Sequence, residues 1–181
     1  MRLIDSHCHL NYAGLAERQE EVLANARARG VAGFLNISTR QSEWGDVLGA
    51  AERNADVWAT VGVHPHEADA HPDLGAAALV EAASHPRVIG IGECGLDYHY
   101  DNSERPAQRE RFEAHIEAAR QTGLPLVVHT RDAPRPSVSE HFLLPFGKAG
   151  VIEVAVAVDQ PHVASSSNSR RGKSGCGWPI G

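Results

Sequence analysis

Short apolar runs recur along the first 130 or so positions of the chain, separated by segments with apolar residues at helical spacing. The runs have the length of strands and are rich in valine and isoleucine, which is typical of buried strands. The predicted strands are Leu3–Leu10, Val31–Ile37, Val57–Val63, Val88–Glu93 and Leu126–His129. The predicted helices are Leu15–Arg29, Glu43–Arg53, Leu74–Ala83 and Arg105–Thr122. Strands that alternate with amphipathic helices predict βα units and a parallel sheet.

The pattern changes after Asp132. Both lysines of the chain, Lys148 and Lys173, lie beyond this point. A fifth helix should follow the last strand, but residues 133–137 contain two prolines, which prevent a regular helix. We therefore predict that residues 1–132 form one α/β domain. Residues 133–181 are predicted to be an atypical tail, with one strand at 151–158 followed by disorder. A frame-shifted or chimeric end is favoured over a natural linker.

The amino-acid composition and the net charge exclude several classes of protein. The formal net charge of −6 over 181 residues excludes an overall positive field that would attract nucleic acid, so local groups would have to bind one. Three cysteines give no disulfide framework, which is typical of a cytoplasmic protein. The chain has no apolar run of membrane-spanning length and no signal peptide, so we expect no membrane contact.

Histidines are numerous, 11 in all, and four potential metal ligands fall near strand ends. His7 and His9 are two residues apart on the first strand, so their side chains share one face. Glu93 closes the fourth predicted strand and His129 the fifth. The carboxyl ends of parallel strands share one face, so these groups predict a site for divalent metals. The alternatives are a buried Glu93–arginine pair and a core His129 bonded to a backbone carbonyl.

Four motifs resemble those of TatD-type metal-dependent deoxyribonucleases, up to about Asp132. They are Asp5-Ser6-His7-Cys8-His9, Gly62-Val63-His64-Pro65-His66, the segment 90–98 around Glu93, and His129-Thr130-Arg131-Asp132. The resemblance implies an incomplete TIM-type (β/α) barrel and DNA as the substrate. It also implies two divalent ions (zinc, manganese or magnesium), with His7 and His9 on one, His129 on the other and Glu93 bridging them.

The family also uses a histidine after strand six and an aspartate after strand eight, and neither has a counterpart in this chain. If Gly150-Val151-Ile152 is aligned with the start of strand six, Glu153 falls where the histidine would lie. We therefore expect DNA cleavage at least about 100-fold weaker than that of a complete barrel, since even the loss of a group that only supports a ligand costs about 10–100-fold. The alternatives are hydrolysis of a small ester, amide or lactone, and an inactive chain that only binds metal.

An incomplete barrel leaves its first strand with an unpaired edge. It would also leave Val61, Ile91 and Val127, which are predicted to face the barrel interior, without cover. No obligate protein partner is inferred, but self-association through the open edge is expected.

Five further residues near the motifs receive predictions. His64 is predicted either to face the pocket and donate to a phosphate oxygen as a catalytic group or to be a turn histidine before Pro65, whereas His66 should face solvent. Arg131 pairs either with a phosphate or with a carboxylate. Tyr98 and Tyr100 are predicted to pack structurally rather than to stack on a base.

The two cysteines beside the candidate ligands, Cys8 and Cys94, are predicted to be small core residues that point away from the site.

Overall fold

Strands and α-helices alternate along residues 3–133, the part of the chain that this computed structural model describes. The strands are β1 (Leu3–Cys8), β2 (Val31–Asn36), β3 (Val57–Val61), β4 (Val88–Asp97) and β5 (Leu126–Arg131). The helices are α1 (Gln19–Ala28), α2 (Trp44–Arg53), α3 (Ala76–Ala83) and α4 (Arg105–Thr122). Short 3-10 segments lie at Ala16–Arg18, Gln41–Glu43 and Pro65–Ala70.

The strands form one parallel sheet whose spatial order is the order of the sequence, β1 to β5. Each strand therefore pairs with the next one along the chain, and a helix crosses over between each pair. The prediction of five parallel strands with flanking helices, an incomplete barrel, is confirmed. Because all strands run the same way, residues that end or follow them gather at one edge of the sheet.

Two element boundaries differ from the prediction by four residues, and the others by two at most. Helix α1 starts at Gln19, because the segment before it forms a 3-10 turn and Leu15 remains 38% exposed. Strand β4 continues beyond Glu93 to Asp97, because it stays paired with β5 as far as Arg131. Asp97, rather than Glu93, is thus the last residue of β4.

The apolar core has two parts of unequal size. The larger part lies between the sheet and the helices, and the smaller part contains Leu35, Ile37 and Val127 with Trp58 packed against them. Val127 belongs to this smaller cluster on the concave side, as predicted. Val61 and Ile91 were predicted to share that side, but they belong to the helix-side core and are fully buried. Strand β4 has a register irregularity between Ile91 and Cys94, so Ile91 lies on the helix side although Glu93, two residues later, lines the cavity.

The predicted tail, including the strand at 151–158, lies outside the described residues. Within residues 3–133, every helix is too short or too polar to cross a membrane.

Candidate metal centre

The carboxyl-terminal edge of the sheet carries a cavity of about 340 Å³. All five residues with a predicted role in the site line it: His7, His9, His64, Glu93 and His129. Two groups of potential metal ligands occur here among the described residues, namely His7, His9 and Glu93, and His64, Glu93 and His129. Glu93 belongs to both groups, so the site has the composition of a centre with a shared carboxylate.

The Glu93 carboxylate lies between two histidines, with one oxygen toward each. Its Oε2 is 3.3 Å from His7 Nε2, and its Oε1 is 3.4 Å from His129 Nδ1. Two ligand atoms about 2.1 Å from one metal in tetrahedral geometry are about 3.4 Å apart, so both contacts have the spacing of atoms that share an ion. Burial raises the pKa of Glu93, but the contacts with His129 and His7 lower it by more, and the carboxylate is ionised.

His9 is oriented by the backbone of the neighbouring strand. Its Nδ1 lies 3.1 Å from the carbonyl oxygen of Ile37, which requires a proton on Nδ1 and leaves the lone pair on Nε2. Burial and the neighbouring His7 lower the pKa of His9, so the ring is neutral at pH 7. Its other face stacks on Tyr12, with ring centroids 4.6 Å apart. These contacts prepare His9 to bind metal through Nε2.

Asp97 holds two histidine rings from beneath the cavity. Its Oδ2 accepts hydrogen bonds from His129 Nε2 at 3.0 Å and from His66 Nε2 at 2.8 Å. Its Oδ1 accepts the backbone N–H groups of His99 and Tyr100. Asp97 is fully buried, yet these bonds lower its pKa to about 2 against the effect of burial. With Nε2 donating to Asp97, His129 presents the Nδ1 lone pair toward Glu93.

His64 differs from His9 and His129, because the ring nitrogen that remains available carries a proton rather than a lone pair. Its Nδ1 accepts the backbone N–H of His66 at 3.2 Å, so the neutral ring carries its proton on Nε2. Burial, together with His129 and His66, lowers the pKa of His64 to about 4, which keeps the ring neutral at pH 7. A neutral ring in this tautomer donates from Nε2 and does not ligate metal there. The geometry therefore favours a donor over a ligand at this position.

Two structural contacts position these side chains from outside the cavity. His115 on α4 is fully buried, and its Nε2 accepts the backbone N–H of Val63, next to His64, at 2.9 Å. Gly95 on β4 has φ +130°, and a Cβ built there would collide with the carbonyl oxygen of His129. Glycine at this position thus allows β4 to approach β5 closely, two residues beyond Glu93.

Two arginines lie at the rim of the cavity, in different surroundings. Arg40 contacts Glu43 at 3.1 Å and Glu67 at 2.6 Å. Arg131 places its guanidinium 4.5 Å from the ring centre of Tyr100. Arg40 is thus neutralised by two carboxylates, while Arg131 rests on an aromatic ring.

One prediction about the rim is wrong. His66 does not face solvent, because its ring bonds to Asp97 and lines the cavity. Tyr100 packs against His66, His99 and Arg131, and it also lines the cavity and is 53% exposed. The cysteines behave as predicted: Cys94 is buried, and Cys8 packs against the core with its Sγ bonded to the carbonyl of Leu35.

Sequence reasoning assigned no role to Asp97, although a signal for it exists. Glu93, Gly95 and Asp97 are spaced by two along one strand, so their α-carbons face the same side. A strand extended to residue 97 would have placed this carboxylate beside Glu93. No comparable sequence pattern marks His66 or His115, whose roles depend on contacts between distant elements.

The residues present fit a divalent metal. His7 Nδ1 is buried with no hydrogen-bond partner, and the Nε2 of the same ring faces Glu93. Imidazole nitrogens and a carboxylate on the same cavity wall suit zinc or manganese, and carboxylate oxygen also suits magnesium. His7, His9 and Glu93 would hold one ion, and Glu93 and His129 would contact a second.

Comparison with known proteins identifies the family. The profile described as TatD related DNase matches residues 4–142 of the 181. The chain belongs to this family. A metal-dependent hydrolase TatD of Mycobacterium tuberculosis, named as uncharacterized, is 35% identical over 142 residues, which cover 74% of this chain and 53% of that protein. The 3'-5' ssDNA/RNA exonuclease TatD of Salmonella typhimurium is 34% identical over 131 residues, covering 72% of this chain and 50% of the exonuclease.

Solved structures of TatD-family proteins share the fold. YJJV, a TatD homolog from Escherichia coli, aligns with a TM-score of 0.68 at 28% identity, over 72% of this chain and 51% of YJJV. A TatD family hydrolase from Entamoeba histolytica aligns with a TM-score of 0.64 at 22% identity, over 78% of this chain and 52% of that one. The chain spans about half the length of the curated relatives it matches. As a TatD-family chain it is a member of a family of metal-dependent hydrolases, several of which are named nucleases.

Proposed function

We propose that this chain carries the amino-terminal part of a two-metal centre that hydrolyses phosphodiester bonds of nucleic acid, with DNA as the substrate. The observation that supports this most is the Glu93 carboxylate, whose two oxygens face two different histidines at 3.3 and 3.4 Å. A carboxylate between two sets of ligands is suited to bridging a pair of ions. The nuclease names of relatives about 34% identical support phosphodiester cleavage.

Each residue of the site has a defined task in this proposal. When the ions are bound, His7 and His9 would hold one, His129 would hold the other, and Glu93 would contribute to both. A pair of divalent ions supplies Lewis acidity and lowers the pKa of bound water toward neutrality. His64, which is neutral and protonated on Nε2, donates a hydrogen bond to a phosphate oxygen, as predicted from the sequence. Asp97 keeps the His129 ring in the orientation that exposes Nδ1.

The test is a comparison of metal content and DNA cleavage in the full chain and two carboxylate variants. We expect the unmodified chain to bind two divalent ions by elemental analysis and to cleave an end-labelled single-stranded DNA. Glu93→Gln should bind metal at least about tenfold more weakly and lose at least about 100-fold in cleavage, because the amide cannot bridge two cations. Glu67→Gln is the matched control, since Glu67 lines the same cavity but pairs with Arg40.

The outcomes separate the predicted alternatives. Cleavage of DNA that survives in Glu93→Gln overturns the assignment of Glu93. Turnover of a small ester or lactone without DNA cleavage favours the alternative hydrolase, and bound metal without any turnover favours a chain that only binds metal. A cytoplasmic location and the absence of an obligate partner remain predictions.

A further inference from the structure

Arg131 has no acidic partner among the described residues, unlike the other arginine of the cavity. Arg40 contacts two carboxylates, those of Glu43 and Glu67. The described contacts of the Arg131 side chain are with the ring of Tyr100, 4.5 Å away. A guanidinium with no acidic partner, beside a cavity that also contains Glu93, is a strong candidate to bind an anion from outside.

The described carboxylates next to Arg131 in sequence, opposite it on β4 and in the loop after β4 are engaged elsewhere. Asp132 bonds to the ring of His99 at 2.8 Å, and Asp101 contacts Arg105 at 2.6 Å. Asp97 accepts hydrogen bonds from His66 and His129. Within residues 3–133, these acids are occupied and leave the charge of Arg131 available at the mouth of the cavity.

Arg131 contacts Tyr100 over the face of the ring, with its Cζ 4.5 Å from the ring centre. Stacking on a ring uses the flat face of the guanidinium, whereas its N–H groups point outward in the plane. The edge of the Tyr100 ring is contacted by His99, with ring centroids 4.7 Å apart, which helps to hold the platform. The ring is nevertheless 53% exposed, so a strand can reach the pair from solvent.

We propose that Arg131, held on Tyr100, is a specificity-determining residue that binds a non-reacting phosphate of a single nucleic-acid strand. The inference rests on the proposed function, because it assigns a second contact to the same substrate. A strand with phosphates on both sides of the cleaved bond would engage the metal centre and Arg131 together. A small neutral ester has no second anion and would gain nothing from this contact.

The experiment measures binding of a fluorescein-labelled (dT)5 strand to the full chain in EDTA at several salt concentrations. Arg131→Gln should weaken binding at least about tenfold. It should also reduce the slope of log K against log salt by about 0.7, the contribution of one phosphate contact on a single strand. Arg131→Lys should keep the slope, and Tyr100→Phe should keep affinity within about threefold because the ring remains.

The chain offers a matched control in a second arginine–tyrosine pair. Arg105 lies 4.5 Å from the ring centre of Tyr98, the same distance as in the proposed subsite, but neither residue lines the cavity. Arg105→Gln should leave both the affinity and the salt slope unchanged. Equal losses in Arg105→Gln and Arg131→Gln would indicate a general charge effect and would overturn the proposal.

The remaining outcomes are also decisive. If Arg131→Gln binds (dT)5 more weakly but the slope of log K against log salt is unchanged, Arg131 has a structural role and the subsite is overturned. The subsite is also overturned if the unmodified chain does not bind (dT)5. Because EDTA removes divalent metal, the binding result does not depend on catalysis. A chain that binds (dT)5 through Arg131 but cleaves no DNA leaves the subsite standing while the proposed hydrolysis fails.

Discussion

At the scale of single residues, the site depends on which nitrogen of each histidine carries the proton. The carbonyl of Ile37 places a proton on His9 Nδ1, and Asp97 places one on His129 Nε2. The backbone of His66 places the proton of His64 on Nε2. Three histidine rings that look equivalent in the sequence thus become two ligands and one donor. Hydrogen-bonding partners, rather than residue type, decide the chemistry.

Asp97→Asn tests this control of the proton position. An amide cannot accept hydrogen bonds through two oxygens, so His129 should lose its fixed orientation while His7 and His9 keep theirs. We expect affinity for one of two manganese ions to fall about 10–100-fold and the other to change little, measured by isothermal titration. Asp69→Asn is the control, because Asp69 is bonded to the backbone of Glu104 away from the cavity. An equal loss of affinity for both manganese ions would contradict the role assigned to Asp97.

The spacing of polar residues on the predicted strands was enough to predict that the four ligands lie close together. His7 and His9 alternate on one strand, and Glu93 and His129 lie on neighbouring strands, so a parallel sheet places them side by side. Whether His64 ligates or donates was decided by a local hydrogen bond that no spacing encodes. The same period-two spacing would have placed Asp97 beside Glu93, but Asp97 lay beyond the predicted end of its strand.

At the scale of elements, β4 is the strand on which the site depends. The strand was predicted to end at Glu93, which lies between Gly92 and Gly95. In the structure both have positive φ and approach β5 so closely that a Cβ would collide with it. The glycines therefore mark close packing of two strands. The helices were easier to predict, because their apolar periodicity reflects burial against the sheet directly.

Gly95→Ala should separate β4 from β5 at the level of His129. The new methyl group would collide with the carbonyl of His129, and φ +130° is unfavourable for alanine. We expect a loss of about 2–4 kcal/mol in the free energy of unfolding, measured by urea denaturation. Gly45→Ala in α2 is the control, because a Cβ there meets no atom within 4 Å, and it should be neutral or stabilise by up to about 1 kcal/mol. Equal stability of the two variants would contradict this view of β4.

At the scale of the whole molecule, the helices cover one face of the described sheet, whereas residues of the edge strand β1 are exposed. Leu3 and Ile4 on β1 are 51% and 62% exposed, and among the described strands β1 pairs with β2 alone. Self-association through this edge remains a prediction. The architecture followed from the alternation of apolar runs and helices, but the assignment of Val61 and Ile91 to the helix side required the actual register of the strands.

Acid should destabilise the whole molecule partly through His115. Burial lowers the pKa of its ring to about 4, while an unfolded histidine titrates near 6.5. The neutral ring therefore contributes stability at pH 7 that is lost as the pH falls from about 6.5 to about 4, in total about 3 kcal/mol. His115→Gln should be less stable at pH 7 and lose less over that interval, measured as urea midpoints. If His115→Gln loses as much stability as the unmodified chain over this pH interval, the role of His115 is contradicted.

The placement of the ligands on separate strands also has a consequence for the timing of synthesis. His7 and His129 are about 120 residues apart in the chain, and at 5–20 residues per second the ribosome needs about 6–24 s to add that length. For most of this interval, until Glu93 has been made, a nascent chain displays His7 and His9 without the groups that complete either ion's coordination. Metal captured then is held by two histidines at most, and a complete centre can form only after the fifth strand has been made.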